Sequence, residues 1–183
     1  DGRGDNGELP PNNWRAMFGG PAWERVVGPE GPEQWYLHFF DVKQPDWNWE
    51  NSDVLEEFDR VLRFWFDRGI DSFRIDVANS LVKESGLPDL PENEKFGELV
   101  GDSPMWDQPE LASIQRRWRA IADEYADTPE GPRMFVAVLI CNPARPVLDA
   151  ATVGALRDAW GGGAVRWLCP GVAAEFDVDR VPD

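Results

Sequence analysis

Residues 70–77 read Ile-Asp-Ser-Phe-Arg-Ile-Asp-Val, and their side chains alternate between apolar and polar. One face carries Phe73, Ile75 and Val77, and the other carries Ser72, Arg74 and Asp76. This period of two predicts a β-strand whose apolar face packs under helices. The polar face is expected to border a cleft or a lumen, because an Arg–Asp pair is costly to bury in an apolar core.

A helix is predicted directly before this strand. Apolar residues recur there at helical spacing: Val54, Phe58, Val61, Leu62 and Trp65. Asn51 or Ser52 can cap the first turn, and Gly69 can end the helix. The strand at 70–77 therefore follows an amphipathic helix after a short turn.

A second helix and a second strand are predicted after the first strand. A Pro- and Glu-rich linker covers roughly residues 84–102, and Asp107 with Glu110 forms a capping-box pattern. The apolar stripe that follows consists of Leu111, Ile114, Trp118, Ile121 and Tyr125. Residues 133–141 are a nearly continuous apolar run, typical of a strand that is buried on both faces of a parallel sheet. The order helix, strand, helix, strand predicts an α/β fold.

Composition excludes several classes of function. The 183 residues include 18 Lys and Arg against 34 Asp and Glu, a net charge of −16, which disfavours nucleic acid and anionic membrane surfaces as partners. The longest apolar runs are too short to span a bilayer, and no signal peptide opens the sequence. Two cysteines and one histidine form neither a disulfide framework nor a zinc site, so a reducing cytoplasm is the expected location.

Five sequence motifs stand in one order and at one spacing. They are NNW at 12–14, FGGPAW at 18–23, WYLHFF at 35–40, QPDWNWEN at 44–51 and FRID at 73–76. Together they resemble the α-glucosidase and oligo-1,6-glucosidase branch of glycoside hydrolase family 13, the α-amylase family. The resemblance covers about residues 1–137.

The resemblance implies a (β/α)8 TIM barrel with a loop domain inserted after the third strand. On that basis residues 1–52 are expected to form the inserted loop domain, residues 53–141 a partial barrel, and residues 142–183 a divergent tail. Gln44–Asn48 match the motif near the end of the inserted domain. An eight-stranded barrel typically needs about 250 residues, so the chain resembles a middle slice of one.

An acidic residue at the C-terminal end of a parallel strand is where barrel enzymes place catalytic groups. Arg74 would hold Asp76 ionised and orient it, as a carboxylate nucleophile requires; an Arg–Asp pair that merely joins strand to loop is the alternative. The resemblance implies that Asp76 is the nucleophile of a retaining double displacement and that Arg74 supports it. It also implies that Phe18 lines the sugar site, unless this ring packs under the loops. Val77 resembles the residue type of enzymes that cut α-1,6 linkages.

The sequence departs from the family at the general acid. Retaining hydrolysis needs a second carboxyl about 5 Å from the nucleophile, and the family position of that Glu matches Val138. Glu175 lies in a Pro/Gly/Val context without a preceding strand and does not replace it. The Asn-His-Asp motif of the third carboxylate is absent, and His38, the only histidine, lies in a non-catalytic motif. Ser72 and the pair Asn79-Ser80 are smaller departures. We expect little or no turnover by this chain alone.

No Asp/Glu cluster has calcium-loop spacing, so neither a metal nor another cofactor is assigned, although the family often binds calcium in its inserted loops. After Ala137 the composition changes abruptly, which suggests a tail translated from a shifted reading frame. Translation of the other two DNA frames beyond that codon tests this hypothesis, and the absence of Glu-x-Trp or Asn-His-Asp motifs there would refute it. Within the tail, residues 148–160 are predicted to form a helix, and no element is predicted from residue 164 onward.

Three functions stay open. The first is hydrolysis of α-glucosidic bonds in short oligosaccharides. The second is non-catalytic saccharide binding, in which Trp14, Trp23, Trp47 and Trp49 could stack on sugar faces, although packing of the loops is the more ordinary role of these rings. The third is transglycosylation, or isomerisation of sucrose or trehalose, by the same family.

Overall fold

A computed structural model describes residues 2–91, 103–129, 131–138, 166–167 and 176–177. Its elements, in chain order, are strands β1 (Trp23–Gly28) and β2 (Gly31–Leu37), helix α1 (Ser52–Phe66), strand β3 (Ser72–Asp76), helix α2 (Leu111–Asp123), and strands β4 (Met134–Val138), β5 (Arg166–Trp167) and β6 (Phe176–Asp177). None of the helices in these ranges is long and apolar enough to cross a membrane.

Strands β3 and β4 form a parallel pair, in register from Ser72 opposite Met134 to Asp76 opposite Val138. Helix α2 lies between them in sequence, so β3, α2 and β4 form a β–α–β crossover unit. The predicted α/β fold is therefore present in this part of the chain.

Helix α1 begins and ends where its sequence predicts. The side chain of Asn51 accepts a hydrogen bond of 2.9 Å from the Asp53 backbone N–H, and Gly69 follows the helix with a positive φ of 84°. The prediction for Trp65 was wrong. Its side chain is 44% exposed, and Phe66 is buried instead, because a residue four positions after Leu62 shares its helix face.

The apolar face of β3 packs against the larger of two buried clusters, here called the first cluster. Phe73 and Ile75 pack against a cluster of buried side chains from α1 and α2. The ring of Phe66 lies at this junction, with its centroid 5.3 Å from Phe73, 5.2 Å from Tyr125 and 6.1 Å from Phe135. The hydrophobic stripe therefore attaches α1 to both strands of the parallel pair.

Helix α2 buries the predicted stripe but lacks the predicted capping box. Leu111, Ile114, Trp118 and Ile121 are buried, and Tyr125 lies just beyond the helix end. The cap residue Glu110 makes no side-chain cap hydrogen bond. Asp107 has a left-handed backbone with φ 51°, and its N–H donates to the Asn79 carbonyl at 2.8 Å. Asp107 thus joins the turn after β3 and does not cap α2.

The composition of strand β4 predicted that both of its faces are buried, and this prediction was wrong. Phe135 is buried in the larger core, whereas Met134 is 54% exposed. Side chains of α1 and α2 cover one face of the β3–β4 pair, so Met134 shares an open face with the exposed residues of β3. Residues 139–141 of the predicted strand lie outside the described residues.

Residues 2–51, here called the loop unit, consist of the antiparallel β1–β2 hairpin and long loops, as the composition predicted. A second buried cluster holds this unit together through aromatic side chains, among them Trp14, Trp23 and Phe39. Met105 and Trp106, which precede α2 in sequence, belong to the same cluster. The loop unit is therefore packed against the segment that leads into α2.

The beginning of the predicted linker is fixed in place. Residues 87–90, here called the strap, receive hydrogen bonds from Asn12 to the Leu87 carbonyl (3.1 Å) and from the Trp14 indole to the Pro88 carbonyl (2.8 Å). The Leu90 N–H in turn donates to the Asn13 side chain at 2.7 Å. Side chains of Asn12, Asn13 and Trp14 thus bind the strap backbone, which composition alone led us to predict as a linker.

The tail contributes a short ribbon. Strands β5 and β6 pair antiparallel in a part of the chain where no element was predicted. The predicted helix at residues 148–160, and Glu175, lie outside the described residues. The domain boundaries after residues 52 and 141 stay predictions.

The unequal burial of Phe66 and Trp65 can be tested with a matched pair of variants. Phe66→Ala removes a ring that touches three others, so we expect it to lower the free energy of unfolding by about 3–5 kcal/mol. Trp65→Ala, one residue earlier in the same helix, should cost less than about 1 kcal/mol. Urea unfolding followed by circular dichroism measures both, and equal losses would contradict the assigned helix face.

Candidate active site

Arg74 and Asp76 form an ion pair on the open face of β3. The Arg74 Nε lies 2.8 Å from the Asp76 Oδ1, and the side chains are 65% and 61% exposed. Both residues belong to the same strand, so the pair does not join strand to loop, which was the structural alternative. The carboxylate is oriented by its neighbour and stays accessible to a ligand.

The backbone turns sharply after Asp76. Val77 adopts a left-handed conformation with φ 53°, which is unusual for a β-branched residue. The Ser80 N–H donates to the Val77 carbonyl at 2.9 Å, and Ala78, Asn79 and Ser80 are buried. Val77 packs against the second cluster, whereas Phe73 and Ile75 pack against the first. Asp76 therefore lies between Ile75, which packs against the first cluster, and Val77, which packs against the second, and Ala78 belongs to the first cluster again.

Position 138 lies beside Asp76. The parallel register pairs Asp76 with Val138, the last residue of β4. Neighbouring strands are about 4.8 Å apart, close to the separation of about 5 Å between the two carboxyl groups of retaining glycosidases. The residue in register with the candidate nucleophile is therefore an aliphatic one.

Phe18 lies at the tip of a loop and not underneath it. Its side chain is 74% exposed and meets the edge of the Phe40 ring, with the centroids 5.8 Å apart. Gly19 and Gly20 follow with φ values of 97° and 81°, which keep the tip tightly turned. Phe40 and Val77 both pack against the second cluster.

A cavity of about 350 Å³ lies between α1, β3 and the Gln44–Asn48 motif. Aromatic side chains dominate its lining, including Phe40, Trp47 and Trp49. Arg74 also lines this cavity, but Asp76 does not. The structure thus brings Arg74 and Asp76 into contact and leaves the candidate nucleophile on the open strand face, outside the cavity.

Of the four tryptophans considered for sugar stacking, three pack inside. Trp14, Trp23 and Trp49 are buried, whereas Trp47 is 59% exposed and meets Phe58 edge-on at 5.8 Å. His38 is buried beside Tyr36, with ring centroids 5.8 Å apart. Only Trp47 of this group presents a broad face to solvent, and His38 occupies a structural position.

The sequence did not single out Lys83, which forms a largely buried ion pair behind the turn with Asp46 of the Gln44–Asn48 motif. The Lys83 Nζ lies 3.1 Å from the Asp46 Oδ1, and only 8% of the lysine side chain is exposed. Desolvation lowers the pKa of the Lys83 ammonium, and the nearby Asp46 carboxylate opposes that shift. No local pattern marks two charges so far apart in sequence, and charged residues are usually exposed.

Within the residues that the structure describes, no three or more His, Cys, Asp or Glu side chains stand close enough to hold a metal ion.

The sequence matches the alpha-amylase catalytic domain over residues 1–138. It is 49% identical over 90 residues to an oligo-1,6-glucosidase of Heyndrickxia coagulans, covering 48% of this chain and 16% of that protein. It is 45% identical over 98 residues to an alpha-glucosidase of Pediococcus pentosaceus, covering 52% and 17%.

Solved structures of related enzymes align with the chain as well. The trehalose-6-phosphate hydrolase TreA of Bacillus licheniformis aligns with a TM-score of 0.62 and 30% identity, covering 84% of this chain and 24% of TreA. A mutant of the trehalulose synthase MutB aligns with a TM-score of 0.58 and 30% identity, covering 76% and 23%. The chain thus spans less than a quarter of the length of these relatives. Because the match covers residues 1–138, the chain belongs to the alpha-amylase family by its catalytic domain.

Proposed function

We propose that this chain carries the nucleophile of a retaining α-glucosidase, and that its substrates are short α-linked glucose oligosaccharides. The observation that carries the proposal is the exposed Asp76 carboxylate, held by Arg74 at the C-terminal end of a parallel strand. The oligo-1,6-glucosidase and alpha-glucosidase relatives support the choice of substrate. Strands β3 and β4 would be neighbours in a (β/α)8 barrel, with the loop unit inserted before α1.

In the proposed reaction an Asp76 oxygen attacks the anomeric carbon, and the bond to the leaving group breaks with its electron pair. A sugar leaving group needs a proton at that moment. Val138 has no proton to give, so we propose that this chain performs the first displacement only on substrates whose leaving group departs as a stable anion.

The same covalent step serves isomerases, in which the released sugar attacks the intermediate in place of water. The similarity to a trehalulose synthase keeps that outcome as a second candidate. Both candidates share Asp76 and differ in the acceptor. Phe18 and Val77 would contact the bound sugar in either case, and Val77 favours α-1,6 linkages.

The nucleophile can be tested without a general acid. In an α-glucosyl fluoride that carries a second ring fluorine, fluoride leaves without a proton donor when the nucleophile attacks, and the trapped sugar hydrolyses slowly. We expect peptide mass spectrometry to find one glucosyl adduct on Asp76, and none in Asp76→Asn. An unlabelled chain, or an adduct at another residue, would contradict the proposal. Maltose binding by calorimetry without labelling would favour a non-catalytic saccharide-binding protein.

The supporting role of Arg74 can be tested separately from its contribution to the free energy of unfolding. Because the Arg74–Asp76 pair is more than half exposed, Arg74→Met should change the free energy of unfolding by less than about 1 kcal/mol. The rate of Asp76 labelling should nevertheless fall, since the carboxylate loses the cation that orients it. Urea unfolding and labelling kinetics on the same preparation measure both quantities, and an unchanged labelling rate would exclude the supporting role.

The position of the missing acid can be tested by replacing Val138. Val138→Glu places a carboxyl in register with Asp76 and should raise glucose release from isomaltose, whose leaving sugar needs a proton, by about 10²-fold, the lower end of general acid catalysis. Val138→Gln is the matched control, because it has the same shape without a transferable proton. Equal rates for the two variants would show that this position does not supply the acid.

A further inference from the structure

The Lys83 ammonium is enclosed by acceptors. It donates to the Ser80 carbonyl, to the Ser80 Oγ at 3.1 Å and to the Asp46 Oδ1 at 3.1 Å. The Phe39 ring covers it from a centroid distance of 5.2 Å. An ammonium has three donors, so all of them are used inside the protein. The Lys83 ammonium therefore has no donor left for a ligand.

The two partners of Lys83 reach into different parts of the fold. The second oxygen of Asp46 accepts the Phe39 N–H at 2.6 Å, and the Asp46 N–H donates to the Leu37 carbonyl at 2.8 Å. The Ser80 Oγ donates to the Met105 carbonyl at 3.1 Å. One side chain thus ties the loop unit, the turn after β3 and the segment before α2 together.

That turn begins at the candidate nucleophile. Ser80 is four residues from Asp76, and its N–H closes the turn on the carbonyl of the left-handed Val77. A strained backbone of this kind persists only where its surroundings hold it. The Lys83 bonds to Ser80 and Asp46 connect that turn to the loop unit by hydrogen bonds, in addition to the apolar packing of Val77.

We propose that Lys83 is a positioning residue for Asp76: by anchoring Ser80 to Asp46, it fixes the turn that sets the direction of the Asp76 carboxylate. The inference rests on the proposed nucleophilic function of Asp76. Lys83 does not touch the sugar, so its effect falls on the rate of the displacement and not on sugar binding.

The test is the kinetics of Asp76 labelling by the same fluorinated glucosyl fluoride, at a temperature where every variant is folded by circular dichroism. Lys83→Met keeps the length of the side chain and removes its donors. We expect its limiting labelling rate to fall by about 10²-fold, as for small misplacements of a reacting group. The half-saturating concentration of the probe should stay within about threefold, since the sugar contacts are untouched.

Arg117→Met is the matched control. It removes another ion pair with an aspartate, the 2.7 Å contact between Arg117 on α2 and Asp59 on α1, away from the turn. A purely stabilising role for Lys83 predicts that both variants label at the unchanged rate once folded. Should Lys83→Met fail to fold, Lys83→Met combined with Asp46→Asn removes the unpaired buried carboxylate and is measured in its place.

The outcomes separate the two proposals. An unchanged chain that takes no label on Asp76 overturns the proposed function and the role of Lys83 with it. Labelling of the unchanged chain at the same limiting rate as the Lys83 variant overturns the role of Lys83 alone. A slower limiting rate in the Lys83 variant, with the Arg117 variant unaffected, supports both.

Discussion

Burial of one face of the β3–β4 pair against α1 and α2 is the interaction on which the other features depend. Phe73, Ile75 and Phe135 pack into the larger cluster on that face, and the rings of Phe73 and Phe135 contact Phe66. The opposite face then keeps its polar groups hydrated, so Arg74 and Asp76 stand at a strand end without the desolvation cost of a buried pair. A rigid apolar support and an accessible carboxylate thus come from the same alternating sequence.

The loop unit supports the C-terminal end of β3, which α1 and α2 do not fix on their own. Val77, directly after Asp76, packs against the aromatic cluster of the loop unit, whereas Ile75 and Ala78 on either side belong to the other cluster. The Lys83–Asp46 pair crosses the same boundary with buried charges. The end of β3 is consequently held from two sides, by apolar packing and by hydrogen bonds.

Local patterns gave most of the correct predictions, and long-range contacts caused most of the wrong ones. The caps of α1, the stripe of α2 and the alternation of β3 depend on residues a few positions apart, and each is present in the structure. The α1 stripe is also present, with Phe66 buried in place of Trp65. Asp107 looked like a helix cap because its distant bond to the Asn79 carbonyl leaves no trace in the neighbouring sequence. The strap looked like a linker for the same reason.

In the candidate site, too, sequence motifs identified some residues, whereas others depend on long-range contacts. Sequence motifs picked out Asp76 and Arg74 and showed that Val138 is aliphatic, whereas only the strand register shows that Val138 and Asp76 are direct neighbours. The exposure of Phe18 depends on how its loop meets Phe40, which composition does not encode. Lys83 was missed because its partner Asp46 lies in another part of the fold.

The bonds between the strap and the loop unit also impose an order of folding. They join residues 74 to 77 positions apart, whereas the β1–β2 hairpin and α1 close over short distances. Loops of that length close late, because the entropy of closure is lost before the contacts form. During synthesis the side chains of Asn12, Asn13 and Trp14 therefore remain hydrated until the strap, which carries their acceptor carbonyls, has left the ribosome. The loop unit is completed only after the strap and Trp106 have been synthesised.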